Sequence, residues 1–329
     1  MKGYIIEMLE KYKNLGRISF SMPGHKNKKT ADIFKDAADV TELADTDSLY
    51  NPRGAVKKAC EKIAGIAGSD ESFIMVNGST GGIFAMIASV CKRGDTLLAS
   101  RACHMSVINA CVVLGVNLIF FEHKIYSKYS IHGEADISDI SRKISENAVK
   151  AVLITSPNYF GAVSDIRSIL DLLKGTDIPL LVDEAHGGHF FAGGVFPESA
   201  VCLGADMVVE SMHKTPAGLN QSAVLHVKSG RIDLERVRDM LAVFQTSSPS
   251  YPIAASAESA FYETVHGGWG KTAERCGKLK KVLLKKTKIK RPFRPLFLYC
   301  FIFHCFCCGC FLCYNFSHSF SHKVFCSFF

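Results

Sequence analysis

Residues 208–225 read VVESMHKTPAGLNQSAVL. An apolar, strand-like run ends in Glu210 and Ser211, and Lys214 follows at once, flanked by Ser211, His213 and Thr215. A lysine there is awkward as core, because a buried charge needs a partner, and unusual as plain surface. A lysine that must hold an aldehyde group would be at home at such a strand end. What the rest of the chain supplies decides between these readings.

Working outward, the chain alternates between two patterns. Short apolar runs stand at SFIMVN (72–77), DTLLAS (95–100), VNLIFF (116–121), KAVLITS (150–156), IPLLVDEAHG (178–187), ADMVVES (205–211) and SAVLHV (222–227). Helix-like segments GGIFAMIASVCK (81–92), HMSVINACVVLG (104–115) and SDIRSILDLLK (164–174) separate several of them. Continuous apolar strands joined by helices predict an α/β fold, a mostly parallel sheet sandwiched by helices. Upstream, residues 1–14 read as an amphipathic helix with Ile5, Met8, Leu9 and Tyr12 on one face. SFSMPGHKNKK (19–29) reads as a loop, and 52–66 as a helix with Pro52 in its first turn and Gly68 past its end.

In such sheets ligands sit at the carboxyl ends of the strands, so the residues after each run carry the chemistry. NGSTGG follows the run ending at Val76; small residues before a helix let an anion approach free N–H groups, and Ser79 and Thr80 add hydroxyls. The bland alternative is a common helix cap. RACHMS puts His104 at the rim of the same cleft, where a solvent-facing first-turn histidine is the alternative. Asp183 ends the run IPLLV, where a carboxylate is costly without a cation; a cap or a local salt bridge is the alternative to a functional acid. A phosphate loop, a histidine, an acid at a strand end and a lysine some thirty residues later together describe pyridoxal 5'-phosphate chemistry.

The motifs then become recognisable. SFSMPGHK (19–26), TELADTDSLYNPRG (41–54), NGSTGG (77–82), RACHMS (101–106), TSPNYFG (155–161), VDEAHGGHF (182–190), SMHKT (211–215) and QTSSPSYP (245–252) run in one order. In them the chain resembles the Orn/Lys/Arg decarboxylase family, whose major domain has the type I pyridoxal-phosphate fold. The resemblance implies that Lys214 holds the cofactor's aldehyde carbon and Asp183 pairs with its pyridine nitrogen. It implies His186 near the ring's 3′ oxygen, His104 on the ring face, and Ser79, Thr80, Ser211 and His213 around the phosphate. Thr246 or Ser247 would touch the phosphate of a second copy in a homodimer or larger assembly. His25 is expected near the cleft mouth without a chemical role. The implied reaction is loss of CO2 from arginine, lysine or ornithine; an inactive fragment, or another type I lyase or aminotransferase, is the alternative.

Composition divides the chain. The net charge is +8, yet residues 278–329 hold ten Lys and Arg and no Asp or Glu, which leaves a mildly acidic body. Nucleic-acid binding would rest on that tail alone, and none is expected. Six scattered cysteines without a CxxC pair in residues 1–277, and no signal peptide, predict a cytoplasmic protein with reduced thiols. The expected layout is an N-terminal arm (1–50), a cofactor-binding large domain (51–277) and an aberrant tail (278–329), with the family's small C-terminal domain missing. The tail holds 11 of the 23 phenylalanines and seven of the 13 cysteines. It reads as a frameshifted segment; a membrane anchor over 296–316 and a metal site from His304 to Cys313 are the alternatives.

Overall fold

The computed structural model describes residues 3–16, 39–126, 131–228 and 230–286. The loop bearing His25 and the tail segments 296–316 and 304–313 lie outside them.

The strands are β1 Glu71–Met75, β2 Thr96–Ser100, β3 Asn117–Phe121, β4 His123–Tyr126, β5 Ile131–Ala135, β6 Val149–Thr155, β7 Leu180–Asp183, β8 Met207–Ser211 and β9 Ala223–Val227. Seven form one sheet in the order β1-β9-β8-β7-β6-β2-β3, and β4 and β5 make a separate hairpin. The five strands from β8 to β3 are parallel, and β9 runs antiparallel to both β1 and β8. The expected α/β architecture with a mostly parallel sheet is therefore present.

Ten helices accompany the sheet in the described residues: α1 Tyr4–Asn14, α2 Ala55–Ala67, α3 Gly78–Val90, α4 Met105–Leu114, α5 Ile137–Glu146, α6 Ile166–Leu173, α7 Ala200–Leu203, α8 Leu234–Phe244, α9 Tyr251–His266 and α10 Gly270–Lys286. The strands alternate between two buried faces. Leu97, Ala99, Leu153, Leu181 and Val209 pack with Ile83 of α3, Val107 of α4 and Val237 of α8. Leu98, Val152, Ile154, Val182 and Val208 pack with Ile140 of α5, Ile169 of α6 and Val201 of α7. Ile74 and Val224 close that second side with Ile5, Ile63 and Phe261. Burial on both faces is why these strands read as unbroken apolar runs rather than alternating ones.

Two helix starts differ from the sequence reading. α3 begins at Gly78, so Ser79 and Thr80 stand in its first turn rather than in a loop before it. α2 begins at Ala55 rather than near Pro52, because the Asp47 carboxylate captures the N–H groups of Arg53, Gly54 and Val56 and holds 52–54 as a turn. The N-terminal helix is tied down by Glu258 of α9, whose carboxylate accepts the Tyr4 and Ile5 N–H groups at 2.8 and 2.9 Å. α10 runs without a break through residue 277. Among the described residues no helix is long and apolar enough to cross a membrane.

Close approach of α3 to the sheet positions the turn before it. A Cβ on Gly82 would lie 2.6 Å from Val209 Cγ2, on a buried, branched side chain that cannot swing aside. Gly82→Ala is expected to destabilise the fold by about 1–3 kcal/mol through overpacking. Urea unfolding checks this, and an unchanged midpoint would contradict it.

Candidate active site

Three connections deliver the site. The β1–α3 turn brings Asn77, Gly78, Ser79 and Thr80; the β7 exit brings Asp183, Ala185 and His186; the β8 exit brings His213 and Lys214. With Ala102, Cys103 and His104 before α4, Thr155 at the end of β6, Tyr159 after it, and Gln221 before β9, they line a cavity of about 680 Å³. That volume lies within the range of small-ligand and cofactor pockets, about 300–1,000 Å³.

Gly78 makes the first turn possible. Its φ of +68° is left-handed, and its N–H donates to the Gln221 carbonyl at 2.7 Å. A side chain there would strain the turn. No N-cap side chain bonds to the α3 start, so its first N–H groups are left without a side-chain cap where Ser79 and Thr80 line the cavity. Ser211 is fully buried and reaches this helix start indirectly, its hydroxyl donating to Ser79 Oγ at 3.0 Å.

Asp183 pairs with Thr155 in the β6–β7 register and is 2% exposed. Burial pushes its carboxyl above the usual range, while Lys214, the Ala185 N–H and His104 pull it back. The Ala185 N–H donates to its Oδ1 at 3.1 Å. A carboxylate so placed asks for a cation in the cavity. Lys214 Nζ lies 3.1 Å from His186 Nε2, and Tyr159 stands edge-on to the His186 ring. His213 Nδ1 is 3.0 Å from the Ser222 carbonyl, which it can serve only as a donor.

His104 resolves both sequence alternatives at once: it is the N-cap of α4 and it lines the cavity. Its Nδ1 accepts the Ser106 N–H at 3.2 Å and lies 2.8 Å from Ser106 Oγ. That network leaves the proton of the neutral ring on Nε2.

The structure thus brings together Ser79, Thr80, His104, Asp183, His186, His213 and Lys214 and places Ser211 directly behind Ser79. Thr246 and Ser247 lie outside the cavity lining. Their segment is nevertheless fastened to the site: Gln245 Oε1 accepts the Val76 N–H at 2.9 Å, and Tyr50 donates to the Thr246 carbonyl. Tyr251 donates to the Asp47 carbonyl at 2.6 Å. Two of the sequence motifs, 41–54 and 245–252, are therefore one strap beside the β1–α3 turn.

Thr155, Tyr159, Cys103 and Gln221 line the cavity without having been assigned a role from sequence. Thr155 was within reach of the strand-end rule, because it closes the β6 run. Its Oγ1 is buried and has no hydrogen-bond partner among the described residues. An orphaned hydroxyl on the cavity floor, an uncapped helix start and a buried acid facing a lysine fit a phosphorylated, cationic ring such as pyridoxal 5'-phosphate.

Comparison with known proteins shows the family and the fold. Residues 4–307 match the family description "Orn/Lys/Arg decarboxylase, major domain". That match runs past residue 277, where the sequence reading ends the resemblance. The chain is 41% identical over 254 residues to the uncharacterized protein YaaO of Bacillus subtilis, covering 74% of this chain and 52% of that protein. An arginine decarboxylase of Bacillus cereus is 35% identical over 252 residues, covering 74% and 55%. The chain spans about half the length of the curated relatives it matches. The lysine decarboxylase LdcF of Francisella novicida shares the fold at a TM-score of 0.76 and 24% identity, over 89% of this chain and 45% of that one. The chain belongs to the Orn/Lys/Arg decarboxylase family and carries the fold of its major domain.

Proposed function

We propose that the chain binds pyridoxal 5'-phosphate on Lys214 and removes CO2 from a basic amino acid, arginine, lysine or ornithine, to give the corresponding amine. The observation that carries this reading is the convergence of Asp183, Lys214 and the Ser79–Thr80 helix start on one cavity. When bound, the cofactor supplies an electron sink for the bond that breaks at the substrate's α-carbon.

The chain's own residues do the rest. The α3 N–H groups with Ser79 and Thr80 bind the phosphate, and Ser211 orients Ser79 from behind. Asp183 holds a proton on the ring nitrogen, because a buried carboxylate is stabilised by a cation at that point. Lys214 must lose a proton before its amine can react, and His186, 3.1 Å away, is placed to take it. His104 covers the ring face and presents Nε2–H to the cavity. Thr246 and Ser247 are assigned to the phosphate of a second copy in a homodimer.

The test is release of labelled CO2 from carboxyl-labelled arginine, lysine and ornithine by the purified chain with pyridoxal 5'-phosphate. Release from one of the three, at rates well above a Lys214→Ala control, is the expected outcome. Equal release by wild type and control would remove the assignment.

A further inference from the structure

Directly behind the cavity, on the opposite face of the sheet, the structure buries a row of polar side chains that the chemistry above does not use. Strand alternation turns Asp183 toward the cavity and Glu184 away from it. Glu184 just past β7, Glu210 of β8, His226 of β9 and Ser72 of β1 follow the sheet order, and each is at most 4% exposed. Phe191 and Phe261 pack on His226, so the row sits in an apolar setting.

Ser199 joins the two acids. Its Oγ lies 2.5 Å from Glu184 Oε2 and 3.1 Å from Glu210 Oε1. A hydroxyl has one proton to give. At the shorter distance it goes to Glu184, which also accepts the Ala200 N–H at 3.1 Å. The contact with Glu210 is then favourable only if Glu210 carries a proton and donates it to the Ser199 oxygen. On its other side, Glu210 Oε2 faces His226 Nε2 at 4.0 Å, and neither atom has a hydrogen-bond partner among the described residues. Among the described residues no Lys or Arg is paired with Glu184 or Glu210 to neutralise a second carboxylate.

Glu184 also supports the turn that carries the site. Its carbonyl accepts the Gly187 N–H at 2.7 Å, closing residues 184–187. A Cβ on Gly187 would strike the Glu184 Cγ, so the turn is packed flat on this side chain.

We propose that Glu184 and Glu210 hold one proton between them, through Ser199, and that this shared proton fixes the 184–187 turn and hence Asp183 and His186. Glu184 is thus a positioning residue, the ionised partner, and Glu210 the protonated one. Two like charges in so dry a place cannot both persist. Burial accordingly pushes both carboxyls up, and the Glu184 charge together with a side-chain hydrogen bond between the two acids raises Glu210 further, well above the usual carboxylate range. The surrounding titratable groups do not offset this. His226 is pushed down to about 3 by burial and stays neutral, the Cys202 thiol is pushed up to about 11, and Asp183 adds negative charge one residue away. The shared proton acts on the turn whichever ligand the cavity takes.

The sign of the pH effect follows. Both acids have folded values above their unfolded ones, so the folded chain binds extra protons above about pH 4.5. Their contribution to stability is complete below that pH and is lost as pH rises through the folded values. Calorimetric unfolding of the full chain near pH 7, in two buffers of different ionisation heat, counts the protons released. Wild type should release about one more proton than Glu210→Gln, whose amide keeps a donor in place of the acid proton. Amide exchange across residues 183–190 should rise at least tenfold in Glu184→Ala and stay within about twofold in Glu210→Gln. Equal proton release by wild type and Glu210→Gln would overturn the shared proton. Unchanged exchange in Glu184→Ala would overturn the positioning role.

Discussion

Asp183→Asn is expected to keep bound pyridoxal 5'-phosphate and to lose decarboxylation by roughly three orders of magnitude, ~4 kcal/mol of transition-state stabilisation. Asp183 is buried, closes β7 and is held by the Ala185 N–H. Burial alone drives its carboxyl toward the neutral form. The Ala185 N–H and positive groups in the cavity favour the carboxylate, and that mutual dependence of acid and cation is what would keep a ring nitrogen protonated. An asparagine has the same shape, so the turn and the phosphate contacts survive, but it carries no charge. Saturation binding and single-turnover rates separate the two effects. A variant with near-normal turnover would remove Asp183 from the chemistry, and one that loses binding and turnover equally would make it a scaffold residue.

The second large effect is expected at Lys214. Lys214→Ala should abolish the visible absorption of the bound cofactor and lower turnover by roughly five orders of magnitude, ~7 kcal/mol. The side chain stands just beyond β8, 3.1 Å from His186 Nε2 and close enough to Asp183 to lower its pKa. His213, one residue earlier, is anchored to the Ser222 carbonyl, which fixes the backbone from which Lys214 projects. Other lysines have no comparable setting among the cavity-lining residues. Phosphate contacts at Ser79 and Thr80 remain, so weak binding of the cofactor should persist without the absorption band. Retention of both the band and the activity would place the covalent bond elsewhere.

Much of this site could be read before any coordinates because of one regularity. Strands buried on both faces are apolar throughout, so the first polar residue after each run marks the end that faces a ligand. That rule found Asp183 and the lysine at 214, and it reached the Ser79–Thr80 turn. It did not reveal the β4–β5 hairpin, whose residues are mixed in character and pair only with each other. Nor did it show the position of Gln221, which depends on how the chain returns from β8 to β9 with a left-handed residue at that point. The Glu184–Glu210 pair was hidden for a related reason. Glu184 reads as the second residue of a polar strand exit and Glu210 as the polar end of a run. Only the three-dimensional alternation turns both inward on the far face. Dependence on distant partners explains Thr246 as well, since its strap to Tyr50 joins segments 196 residues apart.

The central claim is that Lys214 is the residue that carries the cofactor. The direct measurement is borohydride reduction of the purified chain with pyridoxal 5'-phosphate, followed by proteolysis and mass spectrometry. The account predicts one pyridoxyl-modified peptide, containing Lys214, and its absence in Lys214→Ala. Stoichiometric modification of a different lysine, or of none in a folded wild-type chain saturated with the cofactor, would contradict it.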